Sequence, residues 1–176
     1  EGQRIFGENR VPELVEKAES LPKDIEWHQI GHLQTNKVKY IAPFVSLIHA
    51  VDSSKLLKEI NKQALKNERV IPCLLQFHIA QESSKFGFAK AEVEEMLDSV
   101  VFKKMENIEI VGVMGMATFT DDQEQVKMEF RHLKSLFDHL KMTYFSTQDT
   151  FTEISMGLSG DYKLAVEEGS TMVRIG

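Results

Sequence analysis

The residues of this chain that could do chemistry cluster in short polar, glycine-rich strings: Gly7-Glu8-Asn9, Gly31-His32-Leu33-Gln34-Thr35-Asn36-Lys37, Gln81 to Gly87, Met114-Gly115-Met116-Ala117-Thr118, Ser155-Met156-Gly157-Leu158-Ser159 and Arg174-Ile175-Gly176. The last two strings carry the clearest chemical signal. A Ser/Gly turn ahead of a helix, followed by a glycine at a strand end, offers hydroxyl and backbone N–H donors to an anion such as phosphate. Each residue also has an ordinary structural role. Gly157 and Gly169 suit turns or helix C-caps, Ser155 and Ser159 suit caps of the following helix, and Met114 and Met116 suit core filling. Among the six histidines, His28, His49 and His78 fall within apolar runs as candidate core residues. His132 and His139 lie off the apolar stripe of a long helix and are expected to face solvent, and His32 follows a glycine in a polar string and is the best placed to meet a ligand. No histidine pair stands at metal-binding spacing beside a carboxylate, so no metal is expected.

Those strings must be placed by the elements between them. Short apolar runs predict seven strands, at residues 4–6, 26–30, 47–51, 71–79, 110–117, 153–156 and 172–175. Amphipathic stretches alternate with them. The clearest helix is 123–142, where Val126, Phe130, Leu133, Phe137 and Leu140 recur on one face. A second covers 53–67, with Leu56, Leu57, Ile60 and Ala64 inward and Asp52 or Ser53 as N-cap. A third covers 90–106, with Val93, Met96, Leu97, Val100 and Val101 inward. Shorter helices are expected at 12–20, 36–42 and 161–168. Continuous apolar runs such as IPCLLQFHIA suit strands buried on both faces, and strand alternating with helix implies parallel βα units. A doubly wound sheet would be expected to carry a GxGxxG or GxxxxGK[ST] loop after its first strand, and neither occurs. Seven strands, the first met almost at once, instead predict an α/β fold of the (β/α)8 TIM-barrel type whose first strand lies upstream of Glu1. In such a barrel the polar strings gather on the C-terminal rim. No linker divides residues 1–176, so one domain is expected.

Composition excludes several roles. The chain has 176 residues, 42% hydrophobic, with 21 Lys and Arg against 27 Asp and Glu, a net charge of -6. That leaves no basic field for nucleic acid or anionic lipid. No apolar run reaches the roughly 18 residues of a membrane span. The single cysteine, Cys73, forms neither a disulfide framework nor a metal clip, and a cytoplasmic location is expected.

Taken in order, FGEN (6–9), WHQIGHLQTNK (27–37), SSKFGF (83–88), VGVMGM (111–116), SMGLS (155–159) and EEGSTMVRIG (167–176) resemble the pyridoxal phosphate homeostasis protein family. The resemblance runs over nearly the whole chain with its spacings intact. It implies the alanine racemase N-terminal-domain barrel, carrying pyridoxal 5'-phosphate (PLP) on a lysine at the end of the first strand, in a string like AVSKT. Nothing like that string occurs here, and Lys37 and Lys85 match other family motifs. The resemblance therefore implies a chain starting after the first helix and stopping before a last strand and helix. By position it implies the Ser155 hydroxyl and the Gly176 N–H as phosphate donors, Arg174 facing the pyridine nitrogen, Met116 flanking the ring and Asn9 nearby. An ion pair for Arg174 and an N-cap for Asn9 are the structural alternatives. The chain departs from the family pattern at Leu158, Gly160 and Phe86, all beside the expected cofactor.

The function so implied is binding and delivery of PLP to apo PLP-dependent enzymes, without firm catalytic turnover, by a monomer or weak dimer. A PLP-dependent racemase is the second reading. It would need a second acid/base opposite the lysine, and neither a partner β-domain nor an obvious tyrosine among Tyr40, Tyr144 and Tyr162 supplies one. A cofactor-free binding module is the third.

Overall fold

The structure is a computed structural model that describes residues 2–83 and 86–176; Lys85, one of the two lysines weighed above, lies outside the described residues. Seven strands are present, β1 (Ile5–Glu8), β2 (Glu26–Gln29), β3 (Leu47–Val51), β4 (Ile71–Gln76), β5 (Ile108–Met114), β6 (Glu153–Leu158) and β7 (Met172–Arg174). They form one sheet in chain order, and every pair is parallel. The sheet curls into a nearly closed barrel, with its described edges at β1 and β7. Because all strands run the same way, the polar strings that follow them share one rim, as expected.

Helices α1 (Val11–Ser20), α2 (Val38–Ile41), α3 (Ser54–Lys66), α4 (Lys90–Asp98), α5 (Val100–Lys103), α6 (Gln123–Thr143) and α7 (Tyr162–Glu167) cover the outside. Their amphipathic faces and caps account for their positions. Ser53, not Asp52, caps α3, its Oγ accepting the Leu56 N–H at 3.1 Å, while Asp122 caps α6 by accepting the Gln125 N–H at 3.2 Å. Leu56, Leu57, Ile60 and Ala64 of α3 and Val126, Phe130, Leu133 and Leu140 of α6 join the outer core between helices and sheet. A smaller cluster inside the barrel comprises Leu47, Ala50, Leu74 and Met114. No described helix is long and apolar enough to cross a membrane.

Several local expectations are corrected. The stretch 90–106 is two helices, because Ser99 is extended and its Oγ accepts the Phe102 N–H at 3.1 Å, starting α5 in a new direction. Val100 and Val101 consequently face outward, and Phe102 packs on the core instead. The segment 36–42 opens with a 3-10 turn at Thr35–Lys37 before α2. β4 ends at Gln76, so His78 is exposed rather than a core residue, and only an isolated bridge joins Phe77 to Phe88. His139 is not free in solvent: its Nε2 lies 2.6 Å from Glu94 Oε1, clipping α6 to α4. Gly169 has φ +102 and follows α7, which is the C-cap alternative.

Candidate functional site

Inside the rim, strands from opposite parts of the chain bring four polar side chains into one line. β7 turns Arg174 inward, where Nη1 donates to Ser155 Oγ at 2.5 Å and Nη2 donates to the Gly115 carbonyl at 3.2 Å. Ser155 of β6 is fully buried, and its Oγ lies 2.8 Å from His49 Nδ1 of β3. His49 Nε2 in turn lies 2.9 Å from His28 Nδ1 of β2. The expected alternatives for these residues are thereby resolved: Ser155 caps no helix, and His28 and His49 are interior histidines with partners.

Burial sets the electrostatics of this line. It lowers the Arg174 guanidinium to about 10, only partly opposed by Asp161. Among the described residues no carboxylate pairs with Arg174, so the ion-pair alternative is not seen. A desolvated cation with spare donors is favourably placed to receive an anion or a lone pair. Burial also lowers His28 to about 4, with Glu153 opposing. It pushes His49 well below the ordinary histidine value, an effect deepened by His28 and Arg174. Both imidazoles are neutral at physiological pH.

Ser155 and Gly176, the two phosphate donors that the resemblance implies, stand at different levels of the barrel. The β6–β7 register pairs Ser155 with Met172 and Leu158 with Arg174. Gly176, two residues past Arg174, therefore lies just beyond the end of β6, and its N–H donates to Ser159 Oγ at 3.3 Å. Ser159, weighed above only as a cap, is the hydroxyl beside Gly176. Ser155 belongs one level lower, under Arg174. Nothing crowds Gly176 or Gly160, since a Cβ built at either meets no atom within 4 Å. At Gly157, by contrast, φ is +104 and a Cβ would sit 2.6 Å from Ala165 Cβ, so the bend that ends β6 against α7 needs glycine.

The other expected residues take varied places on the rim. Met116 is 41% exposed directly after Gly115, whose carbonyl holds Arg174, and so borders the mouth. Asn9 is not an N-cap, because Arg10 occupies that position without a side-chain cap bond. The Asn9 carbonyl accepts the Gln29 Nε2–H at 3.0 Å, and no hydrogen bond among the described residues joins Asn9 to the Arg174 line. His32 pairs with Asp52, Nδ1 to Oδ2 at 3.1 Å, and stacks on Phe86 with ring centroids 4.0 Å apart. Phe86 thus covers an imidazole. The loop after β5 is fastened by buried Glu129, which accepts the Thr118 N–H at 2.6 Å and the Thr118 hydroxyl at 2.9 Å. Nothing in the spacing of Glu129 signals that role, because it looks like one more charge on a long helix.

Over residues 1–176 the chain matches the family described as the alanine racemase N-terminal domain. It is 39% identical over 176 residues to the pyridoxal phosphate homeostasis protein of Aquifex aeolicus, covering 99% of this chain and 75% of that protein. It is 37% identical over 180 residues to that of Vibrio alginolyticus, with 99% and 75% covered. Among solved structures, PipY of Synechococcus elongatus with PLP bound superposes with a TM-score of 0.85 at 31% identity, over 99% of this chain and 80% of that one. An alanine racemase from Bartonella henselae with covalently bound pyridoxal phosphate superposes with a TM-score of 0.71 at 16% identity, over 99% and 47%, a likeness of fold alone.

Proposed function

Since the chain belongs to the pyridoxal phosphate homeostasis protein family, we propose that it binds PLP at this rim and serves as a carrier, handing the cofactor to apo PLP-dependent enzymes of the cytoplasm as a monomer or weak dimer. The observation that carries this reading is Arg174, a desolvated guanidinium held by Ser155 Oγ and the Gly115 carbonyl with no carboxylate against it among the described residues. The residues present fit the group. Arg174 has N–H groups left over for the ring nitrogen, Gly176 N–H and the Ser159 hydroxyl form a donor pair for the phosphate, and Met116 offers an apolar flank. Asn9, which directly follows β1, would approach the ring from that side.

When bound, PLP supplies an electron-withdrawing ring and an aldehyde that takes up amines. The protein's part is to bind and orient it. A guanidinium is always charged and cannot accept a proton, so Arg174 holds the ring nitrogen unprotonated. That weakens the ring as an electron sink and suits storage over turnover.

Equilibrium dialysis tests the reading. PLP is expected to bind the protein, pyridoxal without its phosphate to bind much more weakly, and Arg174→Gln to raise the Kd by about tenfold or more, as loss of a charge-assisted hydrogen bond of roughly 1.5–3 kcal/mol requires. Equal binding of PLP and pyridoxal, together with an unaffected Arg174→Gln protein, would overturn it.

A further inference from the structure

We propose that His49, backed by His28, is a positioning residue for this site: by accepting the Ser155 hydroxyl hydrogen it commits the Ser155 oxygen to Arg174 and so aims the guanidinium at the ring nitrogen of PLP. The inference rests on the PLP reading above for the identity of what Arg174 faces. The direction of every hydrogen bond in the line does not.

The guanidinium has N–H donors and no lone pair to accept with. Its contact with Ser155 Oγ must therefore be a donation from Arg174. Burial keeps His49 neutral, and an Nδ1–H on its ring would leave the Ser155 hydroxyl hydrogen without an acceptor among the described side chains. The smaller cluster inside the barrel, Leu47, Ala50, Leu74 and Met114, offers no side-chain acceptor stronger than a thioether sulfur, and a buried unpaired hydroxyl costs about 1–3 kcal/mol. Ser155 accordingly donates to His49 Nδ1, which makes His49 the Nε2–H tautomer. That hydrogen goes to His28 Nδ1, and His28 carries its own on Nε2. One cation on β7 thus dictates the tautomers of two histidines on β2 and β3. In return those histidines hold the serine rotor that pins the cation. Neutrality is part of the design, because a charged His49 would place a second cation beside Arg174 and turn the hydroxyl away. His49 touches neither the mouth nor Gly176 and acts only through Ser155.

Two measurements test this. In the ligand-free protein near neutral pH, long-range nitrogen NMR of the imidazoles should show both His28 and His49 as neutral Nε2–H tautomers, and Arg174→Leu should release that preference. A His49 that is charged or of the Nδ1–H form overturns the proposal whether or not PLP binds. With PLP, His49→Leu and Ser155→Ala should each weaken binding by about tenfold and move the nitrogen chemical shift of ring-labelled PLP toward its value in solution. His49→Asn, whose Oδ1 stands in for Nδ1 as acceptor, should restore both. The double variant should lose no more than the worse single one, since the two act in series. Additive losses, or a His49→Leu protein that folds and binds as the wild type does, would overturn it. Failure of the wild-type protein to bind PLP would instead refute the function proposed above, and the tautomer measurement would still decide the line of hydrogen bonds.

Discussion

Histidines 28 and 49 are held neutral inside a barrel, and the folded protein must therefore become less stable as pH falls. Their protonation is resisted in the native state and unhindered in the unfolded chain, whose histidines titrate near 6.5. Between that value and about 4, where His28 titrates in the fold, the unfolded state binds more protons, so stability rises with pH across this window and declines on acidification. His28 alone contributes a loss of up to about 3 kcal/mol by the bottom of the window, and His49, lowered further, extends the decline below it. Urea unfolding followed between pH 7 and 4 should show this slope, and His28→Asn should flatten part of it. The presence of these histidines was legible as apolar-run residues. Their pairing was not, because residues 28, 49, 155 and 174 meet only through strand register, and no local pattern in a sequence encodes which of several inward positions share a level. The same register sets Gly176 beside Ser159 and Ser155 deeper in the barrel, a difference of level that the string SMGLS does not reveal.

Helices and strands are legible in the sequence wherever the hydrophobic period is strong. All seven predicted strands are present, although β4 and β5 stop at Gln76 and Met114, three residues short of their predicted ends, and the long helix α6 matches its predicted span to within one residue at its end. The errors sit where a polar side chain competes for backbone groups. Ser99 in the middle of an amphipathic pattern takes the Phe102 N–H and splits the helix, and apolar periodicity is blind to that exchange. Gly157 shows the converse, a position whose necessity is visible only once β6 meets α7. Gly157→Ala would need a left-handed φ and would drive its methyl into Ala165, so a destabilisation of roughly 1–3 kcal/mol is expected in thermal unfolding. Because this bend also carries Ser159 to Gly176, the variant should weaken PLP binding more than it weakens binding of pyridoxal.

At the scale of the whole molecule, strand order in the sheet equals strand order in the chain. The middle strands β3, β4 and β5 are flanked on both sides, whereas β1 and β7 each have one partner among the described residues, and no β7 residue is fully buried. Amide hydrogen exchange should therefore be slow in β3 to β5, whose strands are hydrogen-bonded on both sides and largely buried, compared with the exposed loops of the rim. The line that runs from His49 to Arg174 starts in this centre, on β3, and reaches through Ser155 of β6 to β7. A ligand gripped by Arg174 and Gly176 would act as a clasp, tying β7 to that centre. Saturating PLP should therefore slow exchange in β7 more than in β4, and the loss of that extra protection in Arg174→Gln would report how firmly the clasp holds.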